Sequence, residues 1–207
     1  MSMNRRILLA CGMLIPATYI FMYILGGALR PGYNHISDSV SELLSPGAPN
    51  RSPIIMIDLA YGLLHVLFGI GVLQFIWRNE HNSLAGSIGG WMIIGAGVAI
   101  VGTAIFPQDA VGTPATIPGK IHLALVFGAL LPFSFLSTLL IGIWSHRTGI
   151  FPGFALYTFV SFGAMILLGG AGAAMAGTPL MGLGERISAI VIHQWLFTFA
   201  LKLLLVN

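Results

Sequence analysis

Charge is what this chain has least of. Asp, Glu, Lys and Arg together make 7% of its 207 residues, against about 25% in ordinary soluble domains. A surface so poor in charge has no hold on water, which excludes a soluble globular fold. Cysteine is nearly missing as well, with Cys11 alone. That excludes an intrachain disulfide and any multi-cysteine metal centre. A single cysteine inside an apolar run is ordinarily a small hydrophobe. The net charge of +3 is carried by few and scattered residues. They form no phosphate-binding stripe, so nucleic acid is not an expected partner. There is no G-x-S-x-G elbow, Walker loop, dinucleotide fingerprint or CxxCH haem site. These absences argue against the common cofactor enzymes and leave the cofactor unknown.

Apolar sequence fills the chain instead. Hydrophobic residues make up 57%, and the mean hydropathy is +0.93. Long runs cover 7–29, 54–77, 85–106, 121–143, 154–176 and 187–206. Each is close to the ~20 residues a helix needs to cross the hydrocarbon core. The runs are apolar on all sides, unlike the alternating strands of a barrel. Backbone in lipid must also satisfy its own hydrogen bonds, which leaves helices. The expected fold is all-α: a polytopic membrane bundle of six transmembrane helices, one domain over 1–207. The first run follows Arg5 and Arg6 as a signal peptide would. It exceeds the ~7–15 residues of a signal h-region and lacks a convincing cleavage site, so it reads as a retained helix.

Arg5, Arg6, Arg78, Arg147 and Lys202 fall on one side of such a bundle, and Arg30, Arg51, Lys120 and Arg186 on the other. The positive-inside tendency, tipped by Arg5 and Arg6, places both termini in the cytoplasm of a cell whose inner membrane holds the protein. The connections over 78–84 and 144–153 then face the cytoplasm, and their His81 and His146 read as solvated. Those over 30–53, 107–120 and 177–184 face outward and are rich in Pro and Gly. Functional groups collect on loops held by a rigid scaffold. Gly86, Gly90 and Gly97 in the third run, and the small residues of the fifth, read first as tight internal packing. Self-association into a homodimer is the alternative. Pro16 and Pro132 are expected to kink their helices.

The densest polar stretch runs from His35 to Leu44. Ile36, Val40, Leu43 and Leu44 are spaced as one helical stripe, and Ser39 with Glu42 fits a capping box. The plain reading is a short interfacial helix in the first outer loop. The functional one is a lid bearing His35, Ser37, Asp38 and Glu42. Asp58, Tyr61 and His65 share one face of the second helix by their spacing. His65 lies roughly 16 Å below Ile54 at 1.5 Å per residue. Ionisable groups at such depth face the bundle interior or water. A hydrogen-bonded core histidine is the plain reading of His65; a proton carrier, ligand or base is the other. Asp109 ends the third run, His122 opens the fourth, and Glu185, Arg186 and His193 belong to the sixth. Glu185 reads plainly as a favourable charge at a helix N-terminus. His65, His122 and His193 with an aspartate could bind zinc only by meeting from three helices, since no HxxxH or HExxH pair exists. No metal ligand is assigned.

These residues form a familiar pattern. RPGY ending at Tyr33, HISDSVSEL from His35 to Leu43, FPQD ending at Asp109, His122, and GER ending at Arg186 resemble the bacterial and archaeal membrane family known as domain of unknown function 998. The resemblance covers nearly the whole chain. It implies a six-helix architecture and marks His35, Ser37, Ser41, Glu42, Asp109, His122, Glu185 and Arg186 as matching positions. It implies no substrate. A vaguer similarity links the chain to membrane hydrolases of the alkaline ceramidase type, which place Ser, Asp and three His on their helices. Here the last helix carries His193 alone, a departure from their paired histidines.

The expected function is a membrane-embedded enzyme of hydrolase or cyclase type acting on a lipid or isoprenoid-like substrate. Asp109, His122 and Glu185 would supply acid–base chemistry, with Arg186 holding an anion or Asp109. His35, Ser37, Asp38, Glu42, Asp58, Tyr61, His65 and His193 would line the substrate site. Membrane lipids and a hydrophobic small molecule are the expected partners. Two readings compete. A small proton-coupled carrier would use Asp58 and His65 as its relay and would need a second copy. An accessory subunit would use its polar groups only to hold the bundle together.

Overall fold

Local signals in the sequence account for several of the helix ends. Ser83 accepts a hydrogen bond from the Gly86 N–H and so caps the helix that follows it, as short oxygen-bearing side chains do. Thr116 does the same for Gly119. Gly149, at φ 64°, closes a helix in the left-handed conformation that a Cβ would penalise. The computed structural model describes residues 3–78 and 83–206. His81 lies outside the described residues.

Seven α-helices follow in order: α1 Met3–Leu29, α2 Arg51–Arg78, α3 Leu84–Ile105, α4 Ile117–Leu125, α5 Leu131–Thr148, α6 Phe154–Ala174 and α7 Met181–Leu205. A π turn over Val126–Leu130 joins α4 to α5, so the two make one span, Ile117–Thr148. The protein is therefore a multi-pass helical bundle, with 6 helices among the described residues long and apolar enough to cross a membrane. The π turn sits just before Pro132, whose missing N–H leaves the Gly128 carbonyl without its helical donor. Helix α1, in contrast, runs unbroken through Pro16.

The helices form a ring in chain order. Each packs on its sequence neighbours, with α4–α5 as one member, and α7 closes the ring against α1. Glycine sets the approach of α2 and α3. A Cβ on Gly97 would stand 2.7 Å from the Gly62 carbonyl oxygen and 2.8 Å from the His65 Cβ. Gly86 and Gly90 lie as tightly against Trp144 and Leu73, so both serve internal packing.

The interior divides along the membrane normal. Toward the short connections it is aromatic: Phe68, Phe75, Trp144, Phe151, Phe154 and Phe199 form a chain of stacked and edge-to-face rings. Toward the long connections it holds Tyr19, Asp58, Tyr61, His65, Glu185 and His193.

Several helices extend beyond the hydrophobic runs. Helix α4 begins before Lys120, and α7 begins at Met181 and takes in Glu185 and Arg186. Hydropathy marks the lipid-facing length. The helix itself continues into polar surroundings where caps and partners satisfy it.

Candidate functional site

The first long connection is folded onto the bundle as a lid, and Arg186 holds it there. One guanidinium nitrogen, Nη1, donates to the carbonyls of His35 at 2.7 Å, Asp38 at 3.1 Å and Gly182 at 2.8 Å. The other, Nη2, donates to the Tyr33 hydroxyl at 2.7 Å and to His35 Nδ1 at 3.2 Å. The cation also lies 5.0 Å from the Tyr23 ring centroid, within cation–π range. Glu185 adds a second staple: its Oε2 accepts from the Val40 N–H at 2.6 Å. The Leu183 N–H donates to the Ile36 carbonyl at 2.9 Å.

These bonds explain why the expected interfacial helix is shorter than its sequence pattern. A 3-10 turn spans Ser41–Leu44. The carbonyls of His35 and Asp38 go to Arg186, and that of Ser39 goes to the Tyr33 hydroxyl at 2.8 Å. They are no longer free for helical partners. The capping pair is in place, with the Glu42 N–H donating to Ser39 Oγ at 3.2 Å. Val40, Leu43 and Leu44 bury against Met22 and Ile54, while Ile36 is exposed.

The lid's titratable groups follow from this geometry. Burial pushes the Tyr33 hydroxyl up to about 12, so it stays a donor. Burial also pushes Glu42 above the ordinary carboxylate range, against Ser39 and against Arg30 at 3.8 Å. For Asp38 burial pulls upward, but donation from Asn34 N–H and the Ser37 hydroxyl outweighs it, and the carboxyl stays below its ordinary value. His35 is held below its ordinary value by desolvation first and by Arg186 second, with Asp38 opposing. Arg186 can only donate, so His35 Nδ1 accepts and the ring is neutral. A depressed folded-state value means the contribution to stability is full above the unfolded histidine value and is lost as pH falls through the folded one. The expected result is a larger drop in Tm for wild type than for His35→Gln between about pH 7.5 and about pH 5.5, either side of ~6.5. Equal drops would remove His35 from the lid's titration.

Beneath the lid lies the intramembrane cluster. His193 Nδ1 is 2.7 Å from the Ala189 carbonyl. A carbonyl only accepts, so Nδ1 carries the hydrogen and Nε2 accepts from the Tyr61 hydroxyl at 2.8 Å. His65 Nδ1 is likewise tied to the Tyr61 carbonyl at 3.0 Å. Tyr19 stacks on His193 at 4.5 Å between ring centroids, and Tyr61 meets His65 edge-on at 4.7 Å. Asp58 stands one turn from Tyr61, as their spacing predicts. Its side chain is 4% exposed, and its Oδ2 is buried without a hydrogen-bond partner among the described residues. Glu185 lies within electrostatic range of Asp58, Tyr61 and Tyr19.

Asp109 and His122 belong to a different group. Asp109 Oδ1 accepts from the Thr116 hydroxyl at 2.6 Å and Oδ2 from the Thr116 N–H at 2.8 Å. The Thr116 hydroxyl bond, then its amide, hold the Asp109 carboxyl below the ordinary range. Thr116 in turn caps α4. His122, 2% exposed, is tied through Nδ1 to the Phe106 carbonyl at 3.0 Å. This pair fixes the turn from α3 into α4. No hydrogen bond or ion pair joins it to Glu185 among the described residues. No three His, Cys, Asp or Glu side chains gather into a metal site among the described residues.

A family model matches residues 13–202. The chain belongs to the family described as Protein of unknown function (DUF998). No curated protein matches it, and no solved structure does. Within this DUF998 protein, the short motifs that carried the resemblance have a structural meaning. RPGY and HISDSVSEL form the lid, GER fastens it, and FPQD with His122 secures the neighbouring turn. Sequence reasoning did not single out Tyr19 and Tyr23 of α1. The signal available was two tyrosines in an apolar span, whose polar tips need partners.

Proposed function

We propose that this protein is a membrane-embedded enzyme that performs acid–base chemistry on a lipid or isoprenoid-like amphiphile. Its centre is Asp58 with the Tyr61–His193 pair, and Glu185 stands beside them. The lid residues His35, Ser37, Asp38 and Glu42, fastened by Arg186, form the roof. Asp109 and His122, first read as catalytic, take the supporting role of shaping the α3–α4 turn. The observation that carries this reading is the Asp58 carboxyl. A buried carboxyl oxygen without a partner costs about 1–3 kcal/mol or more, and a fold that keeps one has a use for it. Buried ionisable groups in membrane helices mark functional paths. Tyr61 and His193, with the tautomer fixed, supply a donor–acceptor couple one turn away.

The aromatic half of the interior supports an enzyme over a carrier. A proton-coupled carrier needs polar groups continuing to the opposite face. Below His65 the axis is closed by Phe68, Trp195 and Phe199, each at most 1% exposed. The same reading places the lid outward in a cytoplasmic membrane, with both termini inside and bilayer lipid as the partner.

The test is lipid turnover. Purified protein is incubated with vesicles of total lipid extract, and the lipids are compared by mass spectrometry. A changed species is expected with wild type, formed about 10²- to 10⁴-fold more slowly by Asp58→Asn. An unchanged lipid profile with folded wild type, or equal rates for the two proteins, would overturn the reading.

A further inference from the structure

At the foot of the polar cluster is a cavity with room for about one water, bounded by α2, α3, α5 and α7. Its polar lining comes from His65, Ser134 and Ser137, and Ile93, Ala96 and Trp195 are among its apolar walls. Each polar group has already committed its hydrogen. His65 Nδ1–H goes to the Tyr61 carbonyl, which leaves Nε2 with its lone pair in the neutral ring. The Ser134 hydroxyl donates to the Leu130 carbonyl at 2.8 Å, and that of Ser137 to the Ser134 carbonyl at 2.9 Å. The Trp195 N–H is turned to Thr158 Oγ1 at 3.3 Å. The site therefore presents acceptors and no free donor.

A molecule that fits must donate. Water does so twice, to His65 Nε2 and to a serine oxygen, and both its lone pairs stay unengaged. That is the state of a nucleophile with its base already in place. We propose that this cavity is the water site of a hydrolytic reaction and that His65 Nε2 is the base. The inference rests on the enzyme reading above and names its reaction class. The water oxygen bonds to the electrophilic carbon or phosphorus of a lipid ester. One O–H bond breaks and its proton passes to Nε2. The ester bond to the alcohol oxygen breaks with its electron pair, and that oxygen takes the proton back from His65. The Tyr61 carbonyl, bonded to Nδ1–H, steadies the imidazolium between the two transfers.

The test repeats the vesicle incubation in ¹⁸O-labelled water with the full chain. One labelled oxygen is expected in the released acid or phosphate. His65→Gln should lower its formation at least about 100-fold. Ser134→Val fills the cavity while keeping the His65 side chain and its bond to the Tyr61 carbonyl, and should give a similar loss, with thermal unfolding reported for both variants. Nitrogen-15 spectra of the histidines in nanodiscs should show His65 as the Nδ1–H tautomer. Turnover without ¹⁸O would overturn this inference and leave the broader enzyme reading standing. An Nε2–H tautomer, or unchanged rates in folded Ser134→Val, would overturn it as well. No turnover at all overturns both.

Discussion

Arg186→Ala releases the lid. The guanidinium is the common partner of three carbonyls, a tyrosine hydroxyl and a histidine nitrogen. Its removal leaves those acceptors at a partly buried junction between the first connection and α7. Leaving one buried acceptor unsatisfied costs about 1–3 kcal/mol. Water reaches part of this junction, so the total expected is on the order of 3 kcal/mol. Arg186→Lys should recover little, because one ammonium cannot donate to acceptors spread around a planar fork. Hydrogen exchange is the measurement. Amides over 33–44 should lose protection in Arg186→Ala while those of α2 and α3 keep theirs. Unchanged protection over 33–44 would show that Glu185 and the apolar contacts of Val40, Leu43 and Leu44 hold the lid without Arg186.

Gly97→Ala should be strongly damaging to the bundle. The new methyl would stand 2.7 Å from the Gly62 carbonyl oxygen and 2.8 Å from the His65 Cβ. Both are anchored to backbone, so no side-chain rotation relieves the clash. Helices α2 and α3 must separate, with an overpacking cost of about 1–3 kcal/mol. His65 must move with them, so the site is damaged before the fold is lost. Gly163→Ala is the comparison. Nothing stands within 4 Å of a Cβ there, and alanine gains up to ~1 kcal/mol over glycine in a helix. Thermal unfolding in one detergent should place Gly97→Ala well below wild type and Gly163→Ala at or above it. The same fall for both would show that close approach of α2 and α3 does not limit stability.

The candidate site was partly legible in the sequence. Spacing alone placed Asp58, Tyr61 and His65 on one helix face, because helical periodicity is a local property. It identified Arg186 and Glu185 as notable but not their partners, which lie about 145 to 153 residues away. It grouped Asp109 and His122 with Glu185 because all three sit near the long connections. Depth along a helix says nothing about direction around the ring. Asp109 answers to Thr116 seven residues on, a bond that no helical or strand periodicity announces. The capping pair Ser39 and Glu42 was read correctly in part. The helix it would start was cut short by carbonyls drawn to Arg186 and Tyr33.

Composition and run length by themselves determined that this chain is a multi-pass helical bundle. Lipid leaves the backbone one way to satisfy its hydrogen bonds in runs of this length. The tertiary structure alone decided which polar groups meet. It joined the first connection to the start of α7, set Tyr61 against His193, left an Asp58 oxygen without a partner among the described residues and filled the opposite half with aromatic rings. Those outcomes depend on how helices are ordered and rotated around the ring. Packing between distant segments fixes both, and no local pattern records them.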